Sequence, residues 1–361
     1  MTEGGEVGMS GRKRRVLHVV ESYGGGVADA VVSFVQSTPD FEHHLLYARR
    51  ADAPIDDQMV AGFASAEVFD GGHLRRVLNV RQSVRRVRPD VVHAHSSFGG
   101  VYARMGVWRR STAVAYTPHC FAFERRDTSR IAGFAYWAIE KVLSLNTTTV
   151  AACSPREAEL ATQLRRSMPV TYVPNVARVP EGHPRVQERP TGAVIAAAGR
   201  VTEQKDPATF AAIARALREH ETLRFVWFGG GDDALVAELQ DAGVTVTGWT
   251  SKHETLDRLR GADIYVHTAA WEGFPVGLLE AVAVDVPALV LDRPYSQGLE
   301  AEMIVSDVDD AVRRLRGLMD DPPQRAALLE AGRRSFERNT ASVQGQALST
   351  VYGNLVKEFH S

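Results

Sequence analysis

Strand-length apolar runs alternate with segments of helical period along nearly the whole chain. Few folds accept that pattern besides parallel sheets covered on both faces by helices. In the first half, strands are expected at 16–20, 44–48, 91–95, 113–117, 149–153 and 170–173. A second series is expected at 193–198, 224–228, 244–247, 264–267 and 288–291. Between the two series, 175–191 holds Pro180, Pro184 and Pro190 with little apolar periodicity, so it reads as a linker. A chain of 361 residues is also too long for one ordinary core. The expectation is an α/β protein of two doubly wound, Rossmann-like parallel-sheet domains with a cleft between them, at 16–180 and 190–340, after a flexible segment at 1–15.

The net charge of -2 offers no footprint for nucleic acid. Cys120 and Cys153 are the only cysteines, and neither has the spaced partners of a zinc site or a disulfide framework, which suits a reducing cytoplasm. Arg12-Lys13-Arg14-Arg15 looks superficially like the charged part of a signal peptide, but the apolar run behind it is only a strand long. No run approaches the roughly twenty apolar residues of a membrane span. A cytoplasmic protein is expected, with any membrane contact peripheral, at the inner face. Such contact would fall between His73 and Arg110, where nine arginines accompany the single acid Asp90. The alternative there is a solvated helix packed on a sheet, since Leu74, Val77, Leu78, Val84 and Val87 recur at helical period.

Open α/β sheets bind ligands at the carboxyl ends of their strands, so the loops there carry the chemical reading. Glu272-Gly273-Phe274-Pro275-Val276-Gly277-Leu278-Leu279-Glu280 sets two carboxylates around a turn that leads into a helical pattern. That order places free backbone N–H groups, at the positive end of a helix, between two acceptors suited to sugar hydroxyls. A nucleotide sugar fits it, whereas carboxylates that merely cap a βαβ turn are the plainer alternative. Gly24-Gly25-Gly26 follows the first strand, before a helix expected to begin near Val27, and lets backbone N–H groups approach a phosphate or sugar.

These stretches, with Asp90-Val91-Val92-His93-Ala94-His95, Thr117-Pro118-His119, Val173-Pro174-Asn175 and Gly199-Arg200 followed by Lys205, resemble the retaining glycosyltransferases of family 4. The resemblance implies the two-domain GT-B fold, with the last helix, at 341–361, crossing back onto the first domain. It matches Glu272 and Glu280 to the Glu-x7-Glu motif, implies that Arg200 and Lys205 bind the donor diphosphate, and places His119 beside the transferred sugar. The donor-binding set expected is Gly25, Gly26, Arg200, Lys205, Gly273, Phe274, Pro275, Val276, Gly277, Leu278 and Glu280, with Glu272 and His119 catalytic. Only five of the 42 basic residues are lysines, which points to a need for a compact ammonium at Lys205.

No metal or other cofactor is expected. Asp232-Asp233 and Asp307-Val308-Asp309-Asp310 read as helix starts, not metal ligands. His93 and His95 are read as strand-end residues facing opposite sides of the sheet, His95 nearer the cleft, poorly placed to hold a metal jointly. Two departures from the family pattern are visible. Ala28, followed by Asp29, stands where the family often has Glu, and Asp285 replaces a glycine, with 292–300 irregular and shortened. The expected partners are a UDP- or GDP-linked sugar and a glycan, lipid-linked or small-molecule acceptor, in cell-surface polysaccharide or glycoconjugate synthesis. A nucleotide-sugar epimerase, a phosphorylase and a non-catalytic nucleotide-sugar binder are the alternatives.

Overall fold

The computed structural model describes residues 12–49, 59–179, 192–220 and 222–360. The expected flexible segment up to residue 11, and the linker at 180–191, lie outside the described residues. The first domain runs β1 (Arg15–Tyr23), α1 (Gly25–Ser37), β2 (Glu42–Arg49), β3 (Ser65–Val68), α2 (His73–Val87), β4 (Val91–His95), α3 (Ser97–Gly106), β5 (Ala113–Thr117), α4 (Arg130–Leu143), β6 (Thr149–Ala152), α5 (Pro155–Leu164) and β7 (Val170–Tyr172). Its strands are parallel, in the order β3-β2-β1-β4-β5-β6-β7.

The second domain runs β8 (Ala193–Ala198), α6 (Pro207–Leu217), β9 (Leu223–Phe228), α7 (Asp233–Asp241), β10 (Val244–Val246), α8 (Lys252–Leu259), β11 (Ile264–His267), α9 (Val276–Ala283), β12 (Ala288–Leu291), β13 (Ile304–Val305), α10 (Val308–Asp320) and α11 (Pro322–Ser335). Its parallel order is β10-β9-β8-β11-β12-β13. Two doubly wound sheets in this arrangement are a GT-B fold. In each sheet the order reverses beside the first strand, between β1 and β4 and between β8 and β11, and such a reversal opens a crevice at the carboxyl edge.

Every expected strand forms. β3 and β13 are additional. Each is a short edge strand, β3 half-exposed and β13 only two residues long, so neither leaves an apolar run to read. The acids expected at helix starts act there: Asp232 accepts from the N–H groups of Ala234 and Leu235, and Asp307 from that of Asp310. α1 begins at Gly25, two residues before the expected start.

The last helix, α12 (Ala341–His360), packs on the first domain. Leu348, Val351, Tyr352 and Leu355 pack into one core with Val16, Phe34, Val91 and Val173. Ser37 Oγ donates to Gln344 Oε1 at 2.7 Å, and the Gln344 amide donates to the Pro174 carbonyl at 2.8 Å. Residues Leu348 to Leu355 of α12 are thus part of the first domain's core. Leu348→Ala is expected to cost about 2–4 kcal/mol, as buried leucine truncations do. Denaturant unfolding should show the loss in the first domain, with the transition of the second unmoved.

Candidate functional site

After β11 the chain enters the acid loop and then α9, and hydrogen bonds tie this loop to the one after β8. Thr268 Oγ1 donates to the Lys205 carbonyl at 2.8 Å, Ala270 N–H to the Gln204 carbonyl at 2.8 Å, and the Gln204 amide to the Trp271 carbonyl at 3.1 Å. The result is an ion pair between the Lys205 ammonium and the Glu272 carboxylate. Tight geometry fixes the glycines around it. A Cβ on Gly229 (φ +140) would stand 2.2 Å from the Gly199 carbonyl oxygen, and one on Gly277 2.7 Å from Tyr265 Oη. The first turn of α9 therefore rests directly on Tyr265.

Fewer N–H groups are free at that turn than the sequence suggests. Val276 donates to the Phe274 carbonyl and Leu278 to that of Pro275, because the turn tightens as it enters the helix. Among the described backbone bonds between elements Gly277 N–H has no partner. The Phe274 ring faces Phe336, 6.0 Å between centroids, so Phe274 turns toward the domain core. Glu280 is buried and ion-paired to Lys252, which also lies 3.3 Å from Asp29 of α1. Asp29 in turn meets Arg178 at 3.4 Å. Burial works against the Lys252 charge, but Glu280 and Asp29 outweigh it and raise its pKa. Burial raises the Glu280 carboxyl despite Lys252.

Lys252 escaped the sequence reading because it lies far from the motif. One signal was available: lysine is rare in this chain, and two of its five lysines pair with the two motif glutamates. His267 was missed as well. It is buried, its pKa is pushed well down by burial, and its Nε2 has no hydrogen-bond partner among the described residues at 3.7 Å from Glu272 Oε1.

Across the cleft, Gly25 (φ +56) and Gly26 form the first turn of α1, and a Cβ on Gly26 would come 3.9 Å from Val276 Cγ2. The glycine turn thus faces the start of α9. His119 and Cys120 both take left-handed backbone conformations, at φ +54 and +105. Buried Glu157 holds that turn by accepting from Cys120 N–H at 2.6 Å and from Cys153 N–H at 3.0 Å. Gly273 of the acid loop docks against the same turn: its Cβ would fall 2.4 Å from Cys120 N and 2.5 Å from the His119 carbonyl carbon. Only glycine allows so close a contact between the domains. Burial lowers the His119 pKa to about 4, so its ring is neutral at pH 7.

A cavity of about 810 Å³ lies between the domains, lined by His119, Arg200 and Trp271 and, on the other side, by Tyr136 and Ile139 of α4. That is ample for a small-molecule site. Lys205, Glu272 and Glu280 do not line it; Glu272 follows directly on Trp271, each acid closed by its lysine.

His93 and His95 do not face opposite sides of the sheet. Two residues apart on β4, they share one face, because side chains in a strand alternate with a period of two. Their ring centroids are 4.2 Å apart, and His18 joins them from β1.

Residues 10–176 match the family model described as "Glycosyl transferase 4-like domain", and residues 180–335 that described as "Glycosyl transferases group 1". The chain is 22% identical over 280 residues to the UDP-Gal:alpha-D-GlcNAc-diphosphoundecaprenol alpha-1,3-galactosyltransferase of Escherichia coli, covering 69% of this chain and 71% of that one. Among solved structures, sucrose-phosphate synthase from Thermosynechococcus elongatus superposes with a TM-score of 0.79 at 15% identity, over 96% of this chain and all of that one. The HepE protein of Anabaena in complex with UDP and glucose gives 0.77 at 15% identity, over 94% and 100%.

Gly273→Ala should drive the acid loop off the His119 turn. Misplacement of about 1 Å near reacting groups costs on the order of 10²-fold in rate. Steady-state kinetics should show a fall in kcat of that order, with unfolding temperature little changed.

Proposed function

Because this chain belongs to the GT-B glycosyltransferase superfamily, we propose that it moves a hexosyl group from a UDP-sugar to a lipid-linked glycan acceptor, with retention of configuration and without a metal. The observation that carries this reading is the pair of lysine-bound carboxylates, Glu272 with Lys205 and Glu280 with Lys252, at the carboxyl edge of the second sheet and opposite His119. UDP is favoured because it appears in the names of both the Escherichia coli relative and the Anabaena complex.

In this reading the diphosphate is received by Arg200, Lys205 and the N-terminal turn of α9, where its growing negative charge is stabilised as it leaves. Glu280 accepts from the ribose, and Glu272 from hydroxyls of the sugar ring. On the first-domain side, the carboxylates that reach the cavity are all held by arginines: Glu21 by Arg76 at 3.4 Å, Asp127 by Arg125 at 2.6 Å, and Glu140 by Arg104 at 2.8 Å. None is placed as a free nucleophile, nor as the acid/base pair an epimerase would need. Retention then follows from attack on the face the diphosphate leaves. The acceptor oxygen bonds the anomeric carbon as the bond to the diphosphate breaks, and the acceptor proton passes to a departing phosphate oxygen. Arg200, Lys205 and the helix end supply the positive charge there, which is why no metal is invoked.

A lipid-linked acceptor is supported by α4. The one buried residue among its 14 is Glu140, while Ile131, Phe134 and Val142 are 84, 68 and 66% exposed. Arg126, Arg130 and Lys141 are exposed on the same segment. An apolar face edged by cations suits the interface of an anionic bilayer, and Tyr136 and Ile139 continue that face into the cavity. α2, for which the sequence offered membrane contact or a solvated helix packed on the sheet, packs Val77, Val80 and Val87 inward and leaves Leu74 and Leu78 exposed.

An α-linked product is expected from an α-linked donor by NMR, formed equally well in EDTA, with no sugar adduct by intact mass. Glu272→Ala should lower turnover by about 10²-fold or more while leaving UDP affinity nearly intact, whereas Arg200→Ala and Lys205→Ala should lower both. An inverted product, or activity that needs added magnesium or manganese, would refute the mechanism. The membrane assignment is read separately. Phe134→Glu with Val142→Glu should abolish cosedimentation with phosphatidylglycerol vesicles and spare activity on a short-chain, water-soluble acceptor; unchanged sedimentation defeats it.

A further inference from the structure

Three buried histidines, His43, His18 and His95, and the half-buried His119 form one hydrogen-bonded chain that begins deep in the first domain and ends at the cleft. His43 Nδ1 meets His18 Nε2 at 3.0 Å, His18 Nδ1 meets His95 Nε2 at 3.0 Å, and His95 Nδ1 meets His119 Nε2 at 3.1 Å. We infer that this chain locks His119 in a single tautomer, with its proton on Nε2 and a bare Nδ1 lone pair as hydrogen-bond acceptor in the cleft, and that His95, His18 and His43 are positioning residues for it.

The direction is set at the far end. His43 Nε2 lies 3.0 Å from the Thr38 carbonyl, which only accepts. It also lies 3.1 Å from Thr38 Oγ1, whose own proton is given to the Phe34 carbonyl at 2.6 Å, so that oxygen too presents only lone pairs. His43 must therefore carry its proton on Nε2. Burial lowers the pKa of every ring in the chain, so each is neutral and has one proton to give. With His43 Nδ1 bare, His18 must donate from Nε2. The same requirement passes to His95 and then to His119, whose Nδ1 bonds to no protein group among the described residues.

A metal offers a competing account, because one ligand atom from each of His18, His93 and His95 falls within 4.8 Å of the others. The hydrogen bonds oppose it. Thr117 Oγ1 gives its proton to the Ala151 carbonyl at 2.8 Å, so His93 donates from Nε2 to Thr117 and accepts at Nδ1 from Tyr352 of α12, both at 2.8 Å. Every lone pair in the group is then already occupied. The chain does not conduct protons to solvent either, since a carbonyl terminates it.

On the proposed glycosyl-transfer reading, the Nδ1 lone pair receives a hydroxyl of the transferred sugar. The tautomer itself is measured without any turnover. Long-range 1H–15N correlation spectra of histidine-labelled protein should show His119 Nδ1 unprotonated and Nε2 protonated. A protonated Nδ1, a fast-averaged ring, or stoichiometric zinc bound by His18, His93 and His95 overturns the inference. His43→Gln retains a donor toward Thr38 and an acceptor toward His18, so it should keep the wild-type His119 signature. His43→Leu should release it and lower kcat roughly tenfold, as the loss of one oriented hydrogen bond does, with UDP affinity unchanged. Identical His119 spectra in the Leu and Gln variants also overturn it. Should the Leu variant fail to fold, the wild-type and Gln spectra still decide. A correct tautomer with kcat unaffected in the Leu variant supports the lock and instead counts against the role given to His119 in transfer.

Discussion

A charge moved out of water must meet its opposite or be discharged. The cleft is organised by that demand. Glu272 and Glu280 each hold a lysine, Asp29 lies between Lys252 and Arg178, and buried Glu157 takes two backbone N–H groups. The histidines meet the demand the other way, by burial that keeps them neutral. These pairings also tie together loops from different strands. The edges of two separate sheets consequently present an ordered surface before any ligand arrives.

That organisation explains which parts were legible in the sequence. The parallel sheets were, because strands buried on both faces leave continuous apolar runs, and the α9 start was, because Pro275 and the acids flank it. The edge strands β3 and β13 were not, β3 being half-exposed and β13 only two residues long, too little to write a run. Lys252 was invisible locally, since its meaning comes from Glu280 and Asp29, brought beside it only by the fold. The histidines were misjudged for a different reason. Alternation in a strand separates neighbours, not residues two apart, so His93 and His95 belong together, and their partner His18 comes from the adjacent strand.

α4 carries apolar residues at helical period, a pattern that would ordinarily pack inward, yet it does not bury them. Its apolar residues face outward and its one buried side chain is a carboxylate. The bidentate bonds of Arg104 to Glu140, at 2.8 and 3.0 Å, and the Tyr116 hydroxyl at 3.2 Å fix that orientation. Rolling the helix over would bury more apolar area, yet it would leave the buried Arg104 guanidinium without a counter-charge. Breaking a buried pair in this way costs about 3–5 kcal/mol, which offsets what the burial of one or two aliphatic side chains returns. The ion pair thus keeps an apolar surface facing outward, beside the cavity.

The same accounting bears on catalysis under the proposed reading. In the cleft Lys205 is cancelled by Glu272, and Lys252 with Arg178 by Glu280 with Asp29. A diphosphate would bring further negative charge to a cleft in which both motif carboxylates already hold a lysine. On that reading the phosphates would compete with Glu272 for Lys205. Once that exchange occurs, Glu272 carries a carboxylate that is no longer neutralised, beside a sugar ring gaining positive character as the diphosphate departs. His267, whose Nε2 lacks a partner 3.7 Å away, is near enough to steady the carboxylate. An acid held idle by its lysine would in this way become an electrostatic stabiliser only when the donor is in place.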